Sequence, residues 1–209
     1  MNVLLVVGAY LLGSVSFSYW IVRHLVGEDI RTLGSGNAGA TNVLRTTGKS
    51  AGLLTFVLDC AKGAIAVACV RLLTPSPSAI AFSALAVVLG HCYPVFHRFR
   101  GGKGVATSAG VAAVLAPLPL LAGLAVFVLI VWRTEFVAIG SIAACFATTF
   151  AAWLFGRLGW TAEAPSWLLA TLLGIALVVV WTHRINLRRL IARTEARLSD
   201  DAKVTRRKP

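Results

Sequence analysis

Apolar runs of roughly twenty residues recur along this chain, and no other feature limits its fold so tightly. They cover about 2–24, 51–72, 79–96, 105–132, 136–155 and 165–183. A helix of ~20 residues crosses the hydrocarbon core of a bilayer. Inside that core every backbone polar group must find an internal partner, which favours helices. Only 13% of the 209 residues are charged, against about 25% in soluble domains. A soluble fold would leave most of these runs in water. The expectation is an all-α polytopic membrane bundle, with one domain over 1–198 and a basic, disordered tail over 199–209.

Charge sets the expected orientation. The formal net charge is +12, and in a membrane protein such an excess reports topology and anionic lipid before nucleic acid. The opening MNVLLVVGAYLLGSVSFSYW lacks a basic leader region, so it reads as a retained helix with its N-terminus outside. The nine Lys and Arg residues after residue 183 place the C-terminus in the cytoplasm, and the two basic loops with it. That requires an even number of crossings between 104 and 133, where two full spans do not fit. The reading is seven helices, two of them short, about 104–115 and 118–132, bent at Pro117-Leu118-Pro119. One long tilted helix is the alternative, and it puts the tail on the other side. Six tryptophans near predicted helix ends fit an interface belt. Four cysteines without a CxxC pair read as packing residues.

Two polar stretches interrupt the apolar pattern. The first is RTLGSGNAGATNVLR, 31–45. Its glycines permit turns whose successive N–H groups can cradle an anion. Ser35, Asn37, Thr41 and Asn42 add side-chain donors, and Arg31 and Arg45 add fixed charge. The second is HRFRGGKG, 97–104, where Gly101, Gly102 and Gly104 flank Lys103 ahead of a predicted helix start. Free N–H groups and the helix dipole favour anions there, with Thr107 in the first turn. The spacing is not that of a P-loop. Plain connecting loops touching lipid head groups are the simpler reading of either stretch.

A few buried polar residues stand out. His91 reads as a general acid/base or a packing residue. His183 and Asn186 share a helix face, and His183 could orient or deprotonate a hydroxyl. Ser141 could bond a substrate or pack a crossing. Asp59 and Lys62, three apart within an apolar run, read as an ion pair facing the bundle. No metal-ligand motif is present. Beyond Asn186, leucines among arginines suggest an amphipathic helix on anionic lipid.

Three segments resemble a known family, the bacterial acyl-phosphate-dependent glycerol-3-phosphate acyltransferases of PlsY type. SGNAGATNVLR (35–45) is similar to SGNxGxTNxxR. GHCYPVFHRFRGGKGVAT (90–107) is similar to GHxxPxFxxFxGGKGVAT, and HRINLRRL (183–190) to HxxNxxRL. TEFVAIGSI (134–142) and LDCAKG (58–63) also look like family segments. The chain departs from the family pattern at Ala38, Ile185 and Ala138, where proline, an acid and a serine are frequent.

The resemblance implies transfer of an acyl chain from an acyl phosphate to the 1-hydroxyl of glycerol 3-phosphate, giving lysophosphatidate and phosphate. It implies no cofactor, no metal and no acyl-CoA, with membrane lipid but no nucleic acid or obligate protein as partner. The site would face the cytoplasm from the inner membrane. Ser35, Gly36, Asn37 and Gly39 are assigned to the acyl-phosphate head. Arg45 and Lys103 are assigned to the glycerol phosphate, with Ser141, His183 and Asn186 near its hydroxyls. The proton acceptor stays open between His91, His183 and a substrate phosphate. An anion transporter using Asp59 and Lys62, or a lipid-binding scaffold using the tail, are the rival functions.

Overall fold

The structure is a computed structural model and describes residues 2–199. Over these residues it is all-helical: α1 (Asn2–Gly13), α2 (Phe17–Val26), α3 (Ala40–Thr46), α4 (Lys49–Leu73), α5 (Pro77–Cys92), α6 (Val105–Leu115), α7 (Pro117–Thr134), α8 (Val137–Arg157), α9 (Ser166–Thr182) and α10 (Arg184–Ile191). Five segments are long and apolar enough to cross a bilayer by themselves, α1 and α2 together forming the first. The pair α9 and α10, bent by 56°, makes a sixth. The tail expected to be disordered, apart from Ser199, lies outside the described residues.

The first span is broken rather than continuous. Between α1 and α2 the chain leaves helical geometry at Ser16, which exposes a main-chain carbonyl inside apolar surroundings. Lys62 Nζ on α4 donates to that carbonyl, of Val15, at 2.8 Å. The intramembrane lysine therefore closes a helix break as well as pairing with Asp59, 2.8 Å away.

The stretch 105–134 also differs from expectation in one half. α6 has 11 residues, a rise of about 16 Å at 1.5 Å per residue, well short of a bilayer core. α7 has 18 residues, about 27 Å, so only the first of the two helices is short. The break falls at Ala116, and Pro117 opens α7, where its missing N–H costs nothing. The loop 25–49 is more ordered than its glycines suggest. It holds a 3-10 turn, Ile30–Thr32, and α3.

Water drives none of the packing between helices in lipid, so close backbone contact matters more. The main buried cluster joins α1, α4, α5, α6 and α9 through Ala9, Val67, Val87, Val111 and Ile175. At the α4–α6 crossing, a Cβ on Gly63 would overlap the Thr107 carbonyl, and one on Gly110 would overlap the Cys60 carbonyl. Gly110→Val should therefore push the two helices apart. We expect a loss of about 2–3 kcal/mol, read as a lower thermal unfolding midpoint in detergent, with Ala109→Val as the control.

α7 turns most of its surface outward, including Val128, Leu129 and Trp132. Trp20, Trp153, Trp160 and Trp181 are exposed as well, whereas Trp167 packs against the core. Of the cysteines, Cys92 is buried and Cys69 is exposed, and all four are free thiols. Cys69 thus departs from the expected buried packing role: its side of α4 faces outward.

Candidate active site

A cleft of about 990 Å³ opens at one end of the bundle. The first glycine-rich loop and α3 contribute Ser35, Asn37, Gly39, Thr41, Asn42 and Arg45 to its walls. Lys103 and Gly104 come from the second loop, Ser141 from α8, and His183 and Asn186 from the α9–α10 corner. Asp59 and His91 also line it. Both ends of the 105–134 stretch reach this cleft, through Val105 and Ala106 and, just beyond α7, Val137. The chain therefore enters the bundle as α6 and returns as α7.

The first loop owes its shape to Asn42 and Arg31. Asn42 is buried; its Oδ1 accepts from the Ser35 N–H at 3.0 Å, and its Nδ2 donates to Leu33 O at 2.9 Å. Its side chain thus braces the loop from behind. Arg31 is engaged elsewhere. It pairs with Asp29 through Nε at 3.0 Å and donates from a terminal nitrogen to His97 O at 2.9 Å. That second bond ties the first loop to the second, and it removes Arg31 from the expected cradle. The guanidinium, by its hydrogen bonds, also holds the Asp29 carboxyl below the usual carboxylate range.

Four expected site residues stand outside the cleft lining. Gly36 sits in an exposed turn at φ 72°. Gly101 and Gly102 lie behind the wall and donate to Cys92 O and His91 O, both at 3.1 Å. A Cβ on Gly102 would overlap the His91 ring. Thr107 is fully buried at the α4–α6 crossing. It missed the cleft because the first turn of α6 winds it toward α4, while Val105 and Ala106 face the opening.

Lys103 is the centre of the polar end. Its Nζ donates to Asn186 Oδ1 at 2.6 Å, and Asn186 Nδ2 donates to Glu195 Oε1 at 2.5 Å. This chain fixes which way the Asn186 amide faces, because an ammonium can only donate and a carboxylate oxygen only accepts. Burial withholds water from the Lys103 ammonium and brings it down to about 8. Glu195 opposes that fall, while Arg45 and Arg189 add to it.

Glu195 is not among the residues that the sequence singles out, and the amphipathic helix expected beyond Asn186 is shorter than its pattern. α10 ends at Ile191, and Arg193 takes a positive φ of 58°. The chain then turns back, so that Leu198 N–H donates to Glu135 O at 3.0 Å and Ser199 Oγ to Glu135 Oε2 at 2.6 Å. Glu195 is the single acid among five arginines between 184 and 197. That isolation was the available signal.

His183 is buried at the cleft edge, 2% exposed. Its Nδ1 lies 2.8 Å from the Val179 carbonyl. A carbonyl cannot donate, so Nδ1 carries the proton and Nε2 keeps its lone pair. Ser141 Oγ donates to Val137 O at 2.8 Å, leaving its oxygen lone pairs available. Among the described residues no three His, Cys, Asp or Glu side chains gather closely enough to hold a metal ion.

Beside the cleft lies an apolar cavity of about 100 Å³ between α4, α6, α7, α8 and α9. Phe56, Val105 and Phe127 line both spaces, and Leu120, Gly123 and Leu172 lie deeper. One end thus offers cations and amides, and the other offers hydrocarbon.

Comparison with known proteins places these features in context. A family model described as glycerol-3-phosphate acyltransferase matches residues 3–193. A glycerol-3-phosphate acyltransferase of Geotalea daltonii is 45% identical over 93% of this chain and 96% of its own length. Another, of Halalkalibacterium halodurans, is 42% identical over 97% and 98%. Among solved structures, PlsY (YgiH), an integral membrane glycerol 3-phosphate acyltransferase in its glycerol 3-phosphate form, superposes with a TM-score of 0.84. It is 38% identical and covers 94% of this chain and 95% of its own. Its lysophosphatidic acid form gives 0.82 at 37% identity, covering 94% of each chain.

Proposed function

The chain belongs to the glycerol-3-phosphate acyltransferase family, and we propose from this that its cleft joins glycerol 3-phosphate to an acyl phosphate at the cytoplasmic face of the inner membrane. It is a multi-pass membrane acyltransferase that converts glycerol 3-phosphate to lysophosphatidate, an early step of phospholipid synthesis. The proposal concerns the donor, the side of the membrane and the residues. The observation that carries it is the meeting of Arg45 and Lys103, from loops nearly sixty residues apart, in one cleft that shares Phe56, Val105 and Phe127 with an apolar cavity.

Lys103 and Arg45 hold the phosphate of glycerol 3-phosphate, and Asn186 holds the Lys103 ammonium in place. The start of the first loop, with Ser35, Asn37 and Gly39, takes the phosphate of the donor, aided by the N-terminal N–H groups of α6. The acyl chain enters the apolar cavity. The substrate hydroxyl then attacks the acyl carbon, and the acyl carbon's bond to the phosphate oxygen breaks. The hydroxyl proton finishes on the departing phosphate, which balances the reaction. An acyl phosphate is already activated, so positioning and charge stabilisation supply much of the rate. His183 Nε2 accepts a hydrogen bond from the hydroxyl and aims its oxygen.

Purified protein in lipid, given labelled glycerol 3-phosphate with acyl phosphate or acyl-CoA, tests the donor. Lysophosphatidate should form with acyl phosphate alone. Product formed only from acyl-CoA would sink this reading.

A pH profile checks Lys103 separately. The ammonium binds phosphate while charged, and it loses that charge as pH rises through about 8. kcat/KM for glycerol 3-phosphate should therefore fall on the alkaline side of about 8, since this ratio reports the free enzyme. Lys103→Arg, charged at every working pH, should remove that limb even where it lowers activity.

A further inference from the structure

We propose that Asp59, Lys62 and His91 form a buried brace that sets the position of Lys103, which makes Asp59 and Lys62 positioning residues for phosphate binding.

Three ionisable side chains meet beneath the cleft, all buried at 1%, 2% and 6% exposure for Asp59, Lys62 and His91. Lys62 Nζ lies 2.8 Å and His91 Nδ1 3.5 Å from the same oxygen, Asp59 Oδ1. Lys62 reaches on to Val15 O at 2.8 Å and sits 5.6 Å from the centre of the Phe17 ring. The cluster therefore joins α4, α5 and the α1–α2 break at one point.

From there the contact runs to the second loop. The far side of the His91 ring fills the space beside Gly102 that a side chain would occupy. The Gly102 N–H donates to His91 O and the Gly101 N–H to Cys92 O, each at 3.1 Å. Lys103 is the next residue. Two backbone bonds and one ring thus fix the peptide that carries the ammonium, and Asp59 fixes the ring.

Apolar side chains could hold these helices together at least as well, because buried ion pairs rarely add net stability. What charge adds is direction. An apolar contact lets a ring rotate and slide, whereas a carboxylate oxygen shared with Lys62 holds His91 Nδ1 toward one place. A shift of about 1 Å in a positioned group is enough to cost 100-fold in rate.

The inference rests on the reading of Lys103 as the phosphate ligand, and the test separates the two. Removing one buried charge would leave its partner uncompensated, so the brace variant is Asp59→Asn with Lys62→Met. Wild type, brace variant, Lys103→Ala and the combination form a double-mutant cycle in the intact membrane protein. KM and kcat for glycerol 3-phosphate are measured for each, with thermal unfolding as the check on folding.

The brace variant should raise KM about tenfold when Lys103 is present, keep kcat within about threefold, and add nothing when Lys103 is alanine. Additive effects, or a fall in kcat at constant KM, overturn the brace while leaving the phosphate reading intact. An unchanged KM for Lys103→Ala alone overturns the phosphate reading itself. Should the double substitution fail to fold, His91→Phe takes its place in the cycle. It keeps a ring beside Gly102, removes the polar contact with Asp59, and carries the same expected results.

Discussion

Replacing Lys103 by alanine raises the Michaelis constant for glycerol 3-phosphate about 100-fold, equivalent to ~2.7 kcal/mol, while the constant for the acyl donor changes far less. The size follows from what is lost. A charge-assisted bond to phosphate contributes about 1.5–3 kcal/mol, and the Lys103 ammonium is held in a pocket where water competes poorly. Its loss also leaves Asn186 Oδ1 without its 2.6 Å donor. The amide is then held from the Glu195 side alone, which adds a smaller fall in kcat. Steady-state rates of lysophosphatidate formation at varied glycerol 3-phosphate check this. A Michaelis constant within threefold of wild type removes Lys103 from the phosphate site.

His183→Ala acts on the other kinetic constant. It should lower kcat about 100-fold or more and leave the Michaelis constant for glycerol 3-phosphate within a few-fold. With Nδ1 committed to the Val179 carbonyl at 2.8 Å, the ring cannot rotate freely, and Nε2 is the one nitrogen left for a hydroxyl. Alanine removes that acceptor without touching Lys103 or Arg45, so binding persists and aim is lost. A change confined to the Michaelis constant would move His183 from the reacting hydroxyl to the phosphate.

The contrast between these two variants also separates the enzyme from its rivals. A transporter built on Asp59 and Lys62 would move anion and form no lysophosphatidate. In the structure those two residues are paired with each other at 2.8 Å, and Lys62 closes a helix break. Asp59 reaches the cleft wall, but both charges are already matched inside the bundle.

Some features were readable along the chain because they are local. An apolar run of twenty residues announces a span wherever it docks, and glycines beside Lys103 announce a loop that can approach an anion. Proline punctuation marked the break between α6 and α7 to within a residue. α7 is longer than its apolar run, because the helix carries on through Arg133 and Thr134, with Arg133 stacked on Trp132 at 4.9 Å. Local sequence gives both arginines of the first loop the same charge, and the family resemblance alone singles out Arg45. In the structure Asp29 and the His97 carbonyl claim Arg31, and Arg45 lines the cleft.

The length of the apolar runs and residue chemistry, both properties of neighbouring positions, determined from sequence that this chain is a helical membrane protein with two glycine-rich cationic loops. Tertiary structure alone decided that Lys103, Asn186 and Glu195 form one chain of hydrogen bonds, that Thr107 turns inward, and that the Asp59 carboxylate on α4 lies 3.5 Å from the His91 ring on α5. Hydrogen bonds and ion pairs of this kind act over about 3 Å. Helices separated by eighty residues come that close only after they pack.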